Sequence, residues 1–211
     1  MGSNHIFRSI QTSYIDAQAL LNFLQDYERP RDRIQRMVRS GELIRIKNGL
    51  YLIAEKIEGG PGGRAIPYEQ LANILYGPSY VSLEWALSFY GIIPERVYTV
   101  TSMTLGRKKE YSTPVGEFQY IPLNKESYSI GVEQMESYNS FGNFLMASRE
   151  KAVVDFVAKR CSGLTGKELE TDLFESKRFN AQILSELNRD LLREISQSYR
   201  SKSVKHLVGI L

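Results

Sequence analysis

The sequence predicts an α+β fold in two parts, a small N-terminal domain and a larger domain in which a small sheet is covered by several helices. Three observations carry that expectation. Tyr27 to Ile53 reads as a basic helix running into a tight hairpin. Glu55 to Pro67 holds four glycines and two prolines and has no periodicity. Beyond it, helical spacing alternates with short runs of period two. The expected boundaries are 1–58 for the first domain, 59–66 for a linker and 67–211 for the second domain.

The first domain is justified element by element. Ile15 to Leu24 has apolar residues at helical spacing, with Leu20, Leu21 and Leu24 free to cover a second helix. That second helix begins near Pro30, where the missing N–H costs nothing, and closes at Gly41. At 100° per residue, Ile34, Met37 and Val38 share one face, and Arg33, Arg36 and Arg39 fall opposite with Gln35 at their edge. Leu43 to Lys47 and Leu50 to Ile53 read as strands. Asn48-Gly49 would supply the two positive-φ residues of a type I′ turn. Alternation puts Arg45 and Lys47 together on the outer face of the hairpin. The order helix, basic helix, hairpin is that of a winged helix-turn-helix.

From Arg29 to Lys47 seven basic residues face two acidic ones, a local charge of +5 in a chain whose formal net charge is +3. Arginines on a surface helix are ordinarily just solvated. Here a covering helix before them, a basic hairpin after them and the size of a small domain coincide, and duplex DNA is the expected partner. Arg31, Arg33, Gln35, Arg36 and Arg39 would meet the major groove, and Arg45, Lys47 and Asn48 the flanking backbone or minor groove.

Composition narrows the rest. With 211 residues and 42% hydrophobic content, the chain can bury an ordinary core. No run approaches a membrane span, and Met1 to Tyr14 lacks the apolar stretch of a signal peptide, so a cytoplasmic protein is expected. A single cysteine, Cys161, excludes an intrachain disulfide and a cysteine-based zinc site; it is expected as a structural thiol near a helix end. The glycine pairs at 59–60 and 62–63 lack the Lys-Ser/Thr of a phosphate loop, and a linker is the better reading.

In the second domain Pro67 to Tyr76 reads as a helix with Leu71, Ile74 and Leu75 inward, and Ser82 as the cap of a helix running from Leu83 to Tyr90. VYTVTS from Val97, EFQYIPL from Glu117 and FGNFLMA from Phe141 read as strands. The turn-rich segment between the first two carries a possible second basic patch, Arg107, Lys108 and Lys109. Ser148 caps a helix whose apolar face holds Ala152, Val153, Phe156 and Val157, and the chain from Leu164 to Leu211 is helical in period.

At Tyr80 to Pro94 the sequence resembles the AbiEi antitoxins of type IV toxin-antitoxin systems, in Tyr80, Ser82, Leu83, Glu84, Ala86, Leu87, Tyr90, Gly91 and Pro94. Val97 to Ser102 is similar to that family's strand ending in Thr-Ser. Ala147 to Asp155 is similar to its Ala-Ser-Pro-Glu-Lys-Ala-x-x-Asp helix, with Arg149 replacing the proline. Gly41-Glu42-Leu43 and Gly49-Leu50-Tyr51 look like its Gly-x-Leu and Gly-x-Tyr. The resemblance spans residues 27 to 160. It implies an antitoxin that binds inverted repeats in its own promoter and represses its operon, while its C-terminal domain neutralises a nucleotidyltransferase-like toxin without a stable complex. A winged-helix transcription factor with a ligand-sensing second domain is the alternative.

Catalytic patterns are sparse, and no enzyme activity, metal or cofactor is expected. Ser148-x-x-Lys151 has acyl-transferase spacing without its partner motifs. Asp172, Glu175 and Lys177 lie in helical sequence, where a nuclease would aim acids from adjoining strands. His5 and His206 stand alone. Glu84 and Asp155 would suggest acid-base chemistry only if they converged in one pocket. Trp85 and the tyrosines 76, 80, 90, 98, 111, 120, 128 and 138 read as packing groups ahead of a base-stacking surface.

Overall fold

The structure, a computed structural model, describes residues 7–57, 66–136 and 142–211. The glycine pairs of the expected linker lie outside the described residues, as do His5, Tyr138 and Phe141. After a 3-10 turn at Phe7–Ser9 the chain forms β1 (Tyr14–Asp16), α1 (Ala17–Phe23), α2 (Pro30–Arg39), β2 (Leu43–Lys47) and β3 (Leu50–Ile53). Ile15 thus belongs to a strand, paired with Tyr51, and not to the helix that apolar spacing suggested. Asp16 explains the break: its carboxylate accepts the amide of Ala19 at 2.8 Å and caps α1.

Pro30 and Gly41 punctuate α2 as expected, with Gly41 at φ +79°. The hairpin strands also match. Its turn differs, because among the described residues Gly49 is left-handed and Asn48 is not. The two-residue turn is therefore not type I′, and the hairpin carries a register shift between Arg45 and Lys47.

The three strands pair in the order β1-β3-β2, and their side chains alternate between two cores. Ile15, Leu43 and Ile53 pack with Leu20, Leu24, Ile34 and Met37 from the helices. Leu50, Leu52, Ile46 and Ile57 instead join the larger core of the second half, with Tyr14 and Ile44 packed against it. This small sheet is therefore covered on both faces, one by each core.

The second half comprises α3 (Tyr68–Leu75), β4 (Ser79–Val81), α4 (Leu83–Phe89), β5 (Thr99–Thr104), β6 (Lys109–Thr113), β7 (Gly116–Pro122), α5 (Lys125–Tyr128), β8 (Val132–Glu136), β9 (Asn143–Ala147) and α6 (Arg149–Arg160). It continues through α7 (Gly166–Thr171), a π turn at Asp172–Ser176, α8 (Ala181–Ser185), α9 (Arg189–Gln197) and α10 (Lys202–Ile210). The fold is α+β. Its mixed sheet, ordered β6-β7-β5-β4-β9-β8, is larger than the small sheet expected. The strands missed are β4, too short and too uniformly buried to alternate, and the charged edges β6 and β8.

α6 is the central helix of this half, and every residue from Glu150 to Val157 is buried. Ser148 caps it by accepting the amide of Lys151 at 3.1 Å. Cys161 closes it as a buried thiol that burial pushes up to about 12. Among the described residues no helix is long and apolar enough to cross a membrane.

Candidate nucleic-acid interface

α2 divides as its sequence demands. Ile34 and Met37 are buried, while Arg31, Gln35, Arg36 and Arg39 are exposed. Arg29, Asp32, Gln35, Arg36 and Arg39 line one surface concavity. Among the described residues no ion pair holds Arg31, Arg36 or Arg39. Arg36 and Arg39 stand in the last turn, where the helix dipole favours cations. Arg33 departs from the expected outer face. It lies four residues before buried Met37, so it flanks the packed side, half-buried, with its guanidinium 5.9 Å from the Tyr27 ring centroid.

The hairpin splits the three residues assigned to it. Arg45 and Asn48 are exposed at its tip, and the Arg45 guanidinium donates to the Asn48 side-chain oxygen. Lys47 is not beside them. Its ammonium donates to the carbonyls of Leu75 at 2.7 Å and Ile74 at 3.1 Å, at the end of α3. The expectation that Lys47 shares the outer face with Arg45 is thereby corrected. A bulge sets two residues of one strand opposite one of the other, so Lys47 follows Ile46 toward the second core.

Arg107, Lys108 and Lys109 are exposed before and at the start of β6, which lies against β2. Lys108 pairs with Glu110 at 3.2 Å, Lys109 stands 5.8 Å from the Tyr111 ring centroid, and the Arg107 amide donates to the Tyr76 hydroxyl at 3.0 Å.

A second constellation is interior. Asp155, wholly buried, accepts the hydroxyls of Ser82 at 2.7 Å and Tyr80 at 2.9 Å, and that of Tyr199 on its other oxygen. Lys151, equally buried, stands 3.6 Å from Asp155 and donates to Tyr199 at 2.6 Å and to the Ser127 carbonyl. Burial lowers the Lys151 ammonium, with Asp155 opposing the shift. Burial, then the Asp155 charge, raises the Tyr80 and Tyr199 phenols. Ser82 therefore spends its hydroxyl on Asp155 and not on capping α4, where it makes no side-chain cap bond. The two sequence motifs thus meet in one polar knot. Tyr199 was missed, since it lies 44 positions from Asp155 with no local pattern to mark it.

Glu84 does not join that knot: it pairs with Arg160 at 2.5 Å nearer the surface. The convergence of Glu84 and Asp155 required for acid-base chemistry is not present. Tyr80 and Tyr120 are wholly buried, Tyr76, Tyr111 and Tyr120 pack together, and the Trp85 indole donates to Glu69 at 2.9 Å. Tyr98 is an exception among them, being largely exposed.

No protein-family model and no curated protein matches this sequence. Among solved structures, the crystal structure of the Rv2827c protein from Mycobacterium tuberculosis is similar. It has a TM-score of 0.57 and 12% identity, over 98% of this chain and 74% of that one. At this identity the likeness is one of fold.

Proposed function

We propose that this chain is a DNA-binding antitoxin and transcriptional autorepressor, in which residues 7–57 act as a winged helix-turn-helix and the second half neutralises a nucleotidyltransferase-like toxin. The observation that carries the DNA reading is the outer face of α2, where Arg31, Arg36 and Arg39 are exposed and, among the described residues, form no ion pair, beside a hairpin tip bearing Arg45. Phosphate and base edges are what such a face satisfies. The working partner is promoter duplex with inverted repeats, in the cytoplasm, and no catalytic step or cofactor is assigned. The antitoxin role rests on the AbiEi-like motifs, whose Tyr80, Ser82, Lys151 and Asp155 share one buried knot.

The decisive experiment titrates duplex from the chain's own upstream region at several salt concentrations, with wild type and Arg36→Ala/Arg39→Ala. Wild type should lose affinity steeply with salt. Each lost phosphate contact should flatten the log–log slope by about 0.9. Equal affinity and slope in both proteins would remove the DNA reading. Co-expression with a nucleotidyltransferase-like protein encoded immediately downstream tests the antitoxin role. A second reading, a transcription factor that senses a small ligand, draws on the groove between Tyr14, Phe23 and Leu50 on one side and Ile74 of α3 on the other. The absence of such a downstream gene would favour it.

A further inference from the structure

We infer that Lys47 is a positioning residue that fixes the hairpin tip against the second half of the chain, making α3 part of the DNA-reading apparatus without touching DNA. The inference rests on the DNA reading above and names what aims its hairpin.

The last carbonyls of a helix have no partner within it and carry the negative end of its dipole. α3 ends at Leu75, with Tyr76 in extended conformation. The Lys47 ammonium satisfies the Ile74 and Leu75 carbonyls together. Ile46, Leu50 and Leu52 are buried in the larger core on the same side of the sheet. Opposing this hold, the Ala17 amide donates to the Gly49 carbonyl at 2.8 Å, tying the turn back to α1. The tip is therefore held between α1 and α3, and this hold sets where Arg45 and Asn48 stand relative to Arg36 and Arg39. A lysine offered to phosphate would instead point to solvent, as Arg45 does. The next residue, Tyr76, receives the Arg107 amide, so the same helix end also fixes the basic loop before β6.

The test uses the full chain and the variants Lys47→Met, Lys47→Arg and Arg36→Ala. Hydrogen exchange of the free protein should show faster exchange at residues 43–53 in Lys47→Met, with Lys47→Arg close to wild type. In DNA titrations Lys47→Met should weaken binding by about tenfold, the scale of one charge-assisted hydrogen bond, with the salt slope unchanged. Hydroxyl-radical footprints should lose protection at the flanks only. Arg36→Ala should flatten the slope by about 0.9. A slope flattened equally by Lys47→Met, with hairpin exchange unmoved, would make Lys47 a phosphate contact and overturn the inference. So would wild-type exchange and affinity in that variant. Absence of DNA binding by wild type would sink the functional reading and the aiming role together, while exchange still reports whether Lys47 holds the hairpin. Should Lys47→Met fail to fold, Lys47→Gln, which keeps one neutral donor, should show the same pattern at smaller amplitude, and a wild-type pattern there would count against the inference.

Discussion

Replacing Asp155 by alanine should be among the most damaging single changes in this protein. The carboxylate and Lys151 are fully buried 3.6 Å apart. At an effective dielectric of about 20, unit charges at that separation attract by roughly 5 kcal/mol, and breaking a buried pair typically costs about 3–5 kcal/mol. The change also strands the hydroxyls of Ser82, Tyr80 and Tyr199. Because these groups share one acceptor, their costs overlap, and about 4–6 kcal/mol is expected against a total stability of about 5–15 kcal/mol. Lys151→Met should cost less, about 1–3 kcal/mol, since Asp155 then keeps its hydroxyl donors. The double variant should cost no more than Asp155→Ala alone, because the stranded ammonium is gone. Without Asp155, burial depresses Lys151 further, and the neutral amine is the form the fold favours. A depressed folded pKa gives stability that is present at high pH and lost as pH falls, so the Asp155→Ala penalty should shrink between pH 7 and the ordinary lysine pKa of about 10.4. Urea unfolding followed by circular dichroism and by the single tryptophan, Trp85, measures all three variants. An Asp155→Ala cost below about 1 kcal/mol, or strict additivity in the double variant, would refute the knot as a cooperative unit.

Gly49→Val puts a β-branched residue at φ +79°, with the nearest atom to its Cβ, on Ala17, at a comfortable 3.9 Å, so the cost is backbone strain of about 1–3 kcal/mol. DNA affinity should drop while the second core stays folded, and normal operator binding by this variant would contradict the role given to the hairpin. A fragment of residues 1–58 would bare Ile46, Leu50, Leu52 and Ile57, each worth about 1.5–3 kcal/mol when buried. It should lack cooperative unfolding, and a stable fragment binding DNA like the full chain would show that the shared sheet matters little. Buried phenols predict alkaline sensitivity, since burial pushes Tyr90 up to about 12 and also raises Tyr120 and Tyr128. A raised folded pKa contributes stability that is full below about pH 10 and lost as pH climbs toward about 12. The phenolate absorbance of these buried tyrosines should therefore rise together with loss of helical signal, and ionisation of Tyr90, Tyr120 and Tyr128 while the helical signal is intact would contradict their burial.

Local chemistry made several elements legible before any contact was known. Pro30 and Gly41 bound α2, and Ile34 and Met37 mark its packed face, because capping, turn chemistry and the helical period act within a few residues. Ser148 was readable as a cap for the same reason. Tertiary structure decided the rest. A one-residue bulge reverses side-chain facing, so alternation alone sent Lys47 to the wrong side of the sheet. β4 carries no alternation because both its faces are covered. Asp155 meets Tyr199 and Tyr80 across 44 and 75 positions, and a hydrogen bond between such distant residues leaves no periodic trace in either segment. The chain's own order thus fixed which residues could form the basic helix and hairpin, while the packing of α3 and α6 determined which side chains remain available to a partner and which are held in the interior.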